Sequence, residues 1–194
     1  MPAAHSNSAA TLTSINLPTT IKRIVLTGFM GAGKTCVGRI LAEALGWEFL
    51  DLDAHLEARS GSTIPTLFSN HGEDHFRRLE STALANALAY NNVVIALGGG
   101  TPEQLTNRLL LEQTPGTNVI FLDAPFEVLF DRCMLQSFAT PAHERPLLAS
   151  AEDAAARFAL RQPLYRRLAQ RIVSTADLTP AEVAQRVFAA VATA

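Results

Sequence analysis

The octapeptide Gly28-Phe29-Met30-Gly31-Ala32-Gly33-Lys34-Thr35 constrains this chain more than any other stretch. It has the form G-x-x-x-x-G-K-[ST], whose glycines let consecutive backbone N–H groups turn inward around phosphate oxygens. The flanks match: apolar Ile24-Val25-Leu26 lies before it, and Val37, Ile40, Leu41, Ala44 and Leu45 follow at helical spacing until Gly46. In that setting the positive end of the helix dipole points at the bound anion. Lys34 is placed to reach the β- and γ-phosphates, and the Thr35 hydroxyl to ligate Mg²⁺. The expected ligand is a nucleoside triphosphate, cradled by Gly31, Ala32, Gly33, Lys34, Thr35 and Cys36.

Downstream, short apolar runs alternate with helical patterns. Phe49–Asp53, Val93–Leu97, Asn118–Leu122 and Arg171–Ser174 read as further strands. Helices are expected near 54–59, 63–69 and 73–89, after Pro102, from Pro125 to about Cys133, through Phe158, Leu160, Leu164 and Leu168, and from Pro180. Such alternation predicts an α/β fold, a parallel sheet covered by helices on both faces. Residues 135–150 lack periodicity and contain Pro141 and Pro146, as a mobile loop would. Residues 1–19, rich in Ala, Ser and Thr, read as a flexible leader without the features of a signal or transit peptide, leaving one domain over 20–194.

Composition narrows the partners. Sixteen Lys+Arg against 18 Asp+Glu leave a net charge of −2, which argues against general attraction to nucleic acid. No apolar stretch is long enough to span a membrane. Two cysteines, Cys36 and Cys133, make no disulfide framework and suit a reducing compartment such as the cytoplasm. Both read as small packed side chains, and Trp47 as a core residue. His71 and His75, four residues apart, have zinc-like spacing but no H-E-x-x-H and no convincing fourth ligand.

A phosphate loop alone does not separate kinases from GTPases or motor ATPases. No N-K-x-D is present to read guanine, and the only lysines are Lys22 and Lys34. Asp51 and Asp53, two apart at the end of the second strand, are expected on one face at the carboxyl edge of the sheet. Asp51 suits Mg²⁺ through water, and Asp53 suits the proton of an attacking hydroxyl. The plainer alternative is that one of them caps the helix that follows.

Taken in order, GFMGAGKT (28–35), FLDLD (49–53), GEDHFRRLE (72–80), LGGG (97–100), RPLL (145–148) and RQPLY (161–165) resemble the shikimate kinase family along nearly all of residues 21–190. That resemblance implies a three-layer α/β/α fold of the P-loop NTP hydrolase type, with a central five-stranded parallel sheet and a mobile lid at about 135–150. It implies Mg²⁺-dependent transfer of the ATP γ-phosphate to the 3-hydroxyl of shikimate by a monomeric enzyme. Arg77 and Arg161 match the family arginines for the substrate carboxylate, with Glu80 at i+3 orienting Arg77. Asp53 matches the acid at the substrate hydroxyls, and Gly99 a backbone contact to the ring. Arg145 matches a lid arginine that stabilises the transferring phosphoryl group, and Arg132 one that packs on adenine. The implied catalytic set is Lys34, Asp53 and Arg145.

Two departures from the family pattern stand out. The stretch from Arg132 to Arg145 is several residues longer than a compact lid. Asp177-Leu178-Thr179 also replaces an arginine before the proline, so adenine contacts there fall to the backbone. The neighbours Arg78, Arg166 and Arg167 are expected at the surface or in salt bridges. A kinase for gluconate or a nucleotide would share the loop and lid, but would not explain both arginine motifs with the triple glycine. A non-catalytic ATP-dependent module would have no use for Asp51, Asp53 and Arg145 together.

Overall fold

The structure, a computed structural model, describes residues 17–139 and 150–193. Strands β1 (Arg23–Thr27), β2 (Glu48–Asp51), β3 (Val93–Ala96), β4 (Thr117–Asp123) and β5 (Arg171–Ser174) form one sheet in the order β2-β3-β1-β4-β5. All pairs are parallel. Helices α1 (Lys34–Leu45), α2 (Leu52–Ser60), α3 (Ile64–Ala87), α4 (Leu105–Gln113), α5 (Phe126–Ala139), α6 (Ala151–Leu168) and α7 (Pro180–Ala192) connect them, with a 3-10 turn at Thr101–Glu103. The expected five-stranded α/β sheet is therefore present. β1 lies in its centre, so the turn that leaves β1 opens at the point where the strand order reverses, and crevices at such points take ligands.

Alternating side chains on the strands feed two apolar layers. Ile24, Leu26, Ile120 and Leu122 face Val37 and Leu41 of α1 and Val183, Val187 and Val191 of α7. Val25, Val93, Ile95 and Val119 face Leu52 and Leu56 of α2, Phe76 and Leu84 of α3, Leu111 of α4 and Leu168 of α6. Burying each such aliphatic side chain contributes about 1.5–3 kcal/mol, so the central strands are fixed from both sides. Truncating one of them, Leu26→Ala for instance, costs roughly 2–5 kcal/mol by transfer and cavity together.

Several sequence expectations need correction. β2 stops at Asp51 because Asp51 is the N-cap of α2, its side chain accepting from the Ala54 N–H. Asp53 thus lies in the first turn of a helix and shares no strand face with Asp51. The two helices expected at 63–69 and 73–89 are, by contrast, as expected: α3 consists of two helical stretches that meet at a kink at Gly72, where the backbone is not helical. α5 continues through residues 135–139, which were expected in the loop, while 140–149 lie outside the described residues. In α6 the buried positions are Ala154, Arg161, Tyr165 and Leu168, whereas Leu160 is 74% exposed. Cys133 is buried as expected, Cys36 is exposed instead of packed, and Trp47 is only partly buried against the core. Leu17, inside the expected leader, also packs against that core. Among the described residues no helix is long and apolar enough to cross a membrane.

Candidate active site

The loop after β1 leads into a helix whose N-terminus no side chain caps. Gly33 is the N-cap of this helix, α1, and its first turn carries no acid. By contrast α2, α6 and α7 are capped by Asp51, Ser150 and Thr179. The leading N–H groups of α1 and its partial positive charge are thus left for an external anion. The loop itself depends on left-handed backbone at Gly31 and Gly33, φ +77° and +85°. Lys34 is drawn back over this loop, its Nζ donating to the carbonyls of Gly28 (2.8 Å) and Phe29 (3.0 Å).

The next residue connects the loop to β2. Thr35 Oγ1 donates to Asp51 Oδ2 at 2.8 Å, while the other carboxylate oxygen accepts from Ala54 N at 3.4 Å. Asp51 therefore caps a helix and also reaches the phosphate loop, so the two readings of this residue coexist. A hydroxyl and a carboxylate oxygen beside a phosphate cradle are hard donors of the kind Mg²⁺ takes, so the residues fit that ion. Asp53, two residues on, is pushed up to about 6, first by burial and then by the charges of Asp51, Glu80 and Glu57, with Lys34 opposing.

The triple glycine is the hub. A Cβ on Gly98 would come within 2.5 Å of Asp53 Oδ1, and one on Gly100 within 2.7 Å of Arg77 Nη1. At Gly99 the nearest atoms would be Arg161 Nη1 and Tyr165 Oη, at 3.6 and 3.7 Å. Three consecutive residues without side chains thus let Asp53, Arg161 and Arg77 close on one turn from α2, α6 and α3. The turn is held in place by Thr101 Oγ1 donating to Glu80 (2.7 Å), Asn107 donating to the Thr101 carbonyl (2.9 Å) and Tyr165 donating to the Gly99 carbonyl (2.5 Å). Burial pushes the Tyr165 hydroxyl well above the ordinary phenol range, so it remains a donor at any working pH.

The two arginines are wired to acids. Arg77 donates through Nη1 to Glu80 (2.9 Å), through Nε and Nη2 to Glu73 (3.3 and 3.1 Å) and through Nη2 to Glu103 (3.2 Å). Glu80 and its neighbours hold the Arg77 guanidinium above its ordinary pKa against the opposing effect of burial. Arg161, a buried residue, donates through Nε to Glu103 at 2.6 Å. The expected Glu80–Arg77 pair is therefore formed, and Glu80 itself is buried.

Other expected residues fall as follows. Arg132 donates to Thr175 Oγ1 (3.0 Å) and to the Thr175 carbonyl (2.7 Å), tying α5 to the end of β5. Arg145 lies outside the described residues. Arg166 pairs with Asp123 and is half exposed, and Arg78 and Arg167 are exposed. The rings of His71 and His75 stack 4.8 Å apart. Sequence reasoning missed Glu103, Thr101 and Tyr165. Tyr165 was within reach, four residues after Arg161 and so on the same helix face. Glu103 carried no local signal.

A parallel sheet with an uncapped phosphate-loop helix, a magnesium-suited oxygen pair and two arginines gathered on the triple glycine has the make-up of a small-molecule phosphotransferase of the P-loop kinase class. The comparisons specify which one. A family model described as "Shikimate kinase" matches residues 30–192. The chain is 43% identical over 155 residues to the shikimate kinase of Symbiobacterium thermophilum, covering 78% of this chain and 86% of that one. It is 40% identical over 163 residues to the shikimate kinase of Thermobifida fusca, covering 83% and 90%. Among solved structures, shikimate kinase from Acinetobacter baumannii in complex with shikimate superimposes with a TM-score of 0.81 at 36% identity, covering 90% of this chain and 94% of that one. The chain belongs to the shikimate kinase family, ATP-using kinases of aromatic amino acid biosynthesis.

Proposed function

We propose that this protein transfers the γ-phosphate of ATP to the 3-hydroxyl of shikimate, and that Asp53, Arg77, Arg161 and the phosphate loop do the work. The observation that carries the reading is the convergence of Asp53, Arg77 and Arg161 on Gly98–Gly100, reached from three separate helices. A hydroxylated ring acid needs cations at its carboxylate end and an acceptor at its reacting hydroxyl, and this cleft supplies both. The Gly31–Cys36 segment and Lys34 hold the triphosphate through N–H groups and one ammonium. Mg²⁺, for which Thr35 and, through water, Asp51 are the fitting donors, supplies charge neutralisation on the phosphate oxygens.

Arg77 and Arg161 grip the carboxylate, and their planar forks fix the ring's orientation. Gly99 contributes backbone at the ring. Asp53, ionised above a pKa of about 6, accepts the proton of the 3-hydroxyl as that oxygen attacks the γ-phosphorus in line. Lys34 and Arg145 stabilise the charge on the transferring group, and Arg132 flanks the adenine. Phosphoryl transfer asks for positioning and electrostatics more than for covalent chemistry, which matches a site built of charges on rigid helices. In this reading residues 20–194 are one P-loop kinase domain with its lid at about 135–150, acting as a cytoplasmic monomer without nucleic-acid or membrane partners.

The test is ADP release from Mg-ATP with shikimate, gluconate or CMP as acceptor. Stimulation by shikimate alone is expected. Stimulation by gluconate or CMP in its place refutes the acceptor, and none by any acceptor refutes the kinase reading. Arg161→Ala is expected to raise the KM for shikimate well above that of the parent while leaving ATP binding intact. An unchanged shikimate KM would refute the carboxylate grip.

A further inference from the structure

We infer that Glu103 is a built-in carboxylate placeholder, seated between the two arginines of the acceptor cleft and displaced by the substrate's own carboxylate. The inference rests on the reading of Arg77 and Arg161 given above. Glu103 closes the 3-10 turn after the triple glycine, and one carboxylate spans both guanidinium groups: Oε1 to Arg161 Nε at 2.6 Å and Oε2 to Arg77 Nη2 at 3.2 Å. No other acid makes an ion pair with Arg161 among the described residues. A carboxylate bridging two arginines is the same recognition a bound ring acid would make, presented by the chain itself.

The electrostatics require that something yield. Arg77 and Arg161 contribute two positive charges, and Glu73, Glu80 and Glu103 contribute three negative ones. The cluster is therefore net negative by one, and an arriving carboxylate meets repulsion unless an acid leaves. Glu80 cannot leave: its side chain is 2% exposed and also accepts from Thr101. Glu73, 63% exposed, is ion-paired with Arg77 and, among the described residues, with no other cation. Glu103 alone contacts both arginines, and its side chain is 33% exposed, so rotation carries it into water.

Its backbone stays put meanwhile. Arg108 Nη1 donates to the carbonyls of Pro102 (2.6 Å) and Glu103 (2.9 Å), and Glu103 N donates to the Gly100 carbonyl (2.9 Å). The arrangement keeps the buried Arg161 guanidinium paired until a substrate carboxylate arrives, where unpaired burial is costly. It also makes substrate binding an exchange of one carboxylate for another, which lowers affinity and favours acceptors that carry a carboxylate. Glu103 is thus a positioning and specificity residue that need not touch the reacting atoms.

The test is steady-state kinetics of Glu103→Gln beside Arg161→Ala, with shikimate binding measured by calorimetry. Gln keeps the length and an acceptor for Arg161 Nε but removes the competing charge. The KM and Kd for shikimate are expected to fall by about three- to tenfold, the scale of a partly exposed ion pair, with the KM for ATP as internal control. Benzoate, a minimal ring carboxylate, is expected to inhibit Glu103→Gln more strongly than the parent. A rise in the shikimate KM of Glu103→Gln, or no change in it, overturns the placeholder in favour of a purely supporting hydrogen bond. If Glu103→Gln gives that result while Arg161→Ala weakens shikimate, only the placeholder fails. If Arg161→Ala leaves shikimate binding unchanged, the carboxylate grip itself fails.

Discussion

Asp53→Asn separates chemistry from stability in a single substitution. In the folded protein burial, aided by Asp51, Glu80 and Glu57, raises the Asp53 carboxyl from 3.8 to about 6. A carboxyl with a raised folded-state pKa binds its proton more tightly folded than unfolded. Its favourable contribution is therefore complete below pH 4 and is lost as the pH climbs through about 6. Two pKa units at about 1.4 kcal/mol each amount to a penalty of about 3 kcal/mol at pH 8, falling to roughly half that at pH 5 and nearly to nothing at pH 4. Asn carries no charge to desolvate, so the variant is expected to be more stable than the parent by up to that amount. In a domain of this size the gain corresponds to a Tm increase of roughly 6–12 °C at pH 8. The same variant is expected to lose about 10²–10⁴-fold in kcat, the scale of a missing general base. Thermal melts at pH 8 and pH 5, run beside the coupled assay, provide the check. A variant no more stable than the parent at pH 8, or equally stabilised at both pH values, would refute the account of Asp53 as a desolvated carboxylate.

Four further outcomes follow from the same geometry. The parent's kcat/KM for shikimate is expected to fall as pH drops through about 6, because Asp53 takes up a proton there; a profile flat from pH 7 to pH 5 contradicts its role as base. Lys34→Ala is expected to reduce kcat/KM for ATP by about 10²-fold or more, the scale for removing one preorganised charge, while calorimetry still detects shikimate binding. Tyr165→Phe removes the donor to the partly buried Gly99 carbonyl. Urea unfolding should register a loss of about 1–3 kcal/mol, and the shikimate KM should rise as the turn loosens. Glu80→Ala strips both Arg77 and Thr101 of a buried acceptor, so a loss of about 3–5 kcal/mol is expected in the same unfolding experiment.

The layers of the fold were legible because each central strand holds an unbroken apolar run. Ile24-Val25-Leu26 and Val93-Val94-Ile95 have helices on both faces, so every residue is buried and the run stands out without any alternation. Edges of elements were harder, for reasons that are local and chemical. Asp51 prolongs the strand pattern in sequence, yet its side chain can cap, and capping starts the helix two residues early. In α6 an aliphatic count points to Leu160, whereas the inward position belongs to Arg161, whose charge is satisfied by Glu103. Helical periodicity locates buried positions only while those positions are apolar, and an acceptor cleft puts arginine where leucine is expected.

The same reasoning explains why half of the site could be read and half could not. The phosphate loop is continuous in sequence, so its chemistry is local: glycines, one lysine and one hydroxyl within eight residues. The acceptor cleft is assembled across distance. Glu103 stands 26 residues from Arg77 and 58 from Arg161, and only the sheet order and the packing of α3 and α6 against the turn bring the three together. No spacing rule joins residues that far apart. The family resemblance supplied the cations and the hydroxyl acceptor but not the acid that bridges the cations. That acid tips the charge of the ion-pair cluster: Arg77 and Arg161 balance Glu73 and Glu80, and Glu103 makes the five-residue cluster net negative. In the proposed exchange, affinity for an anionic substrate turns on a residue outside the motifs of that resemblance, one that only the three-dimensional arrangement brings beside both arginines.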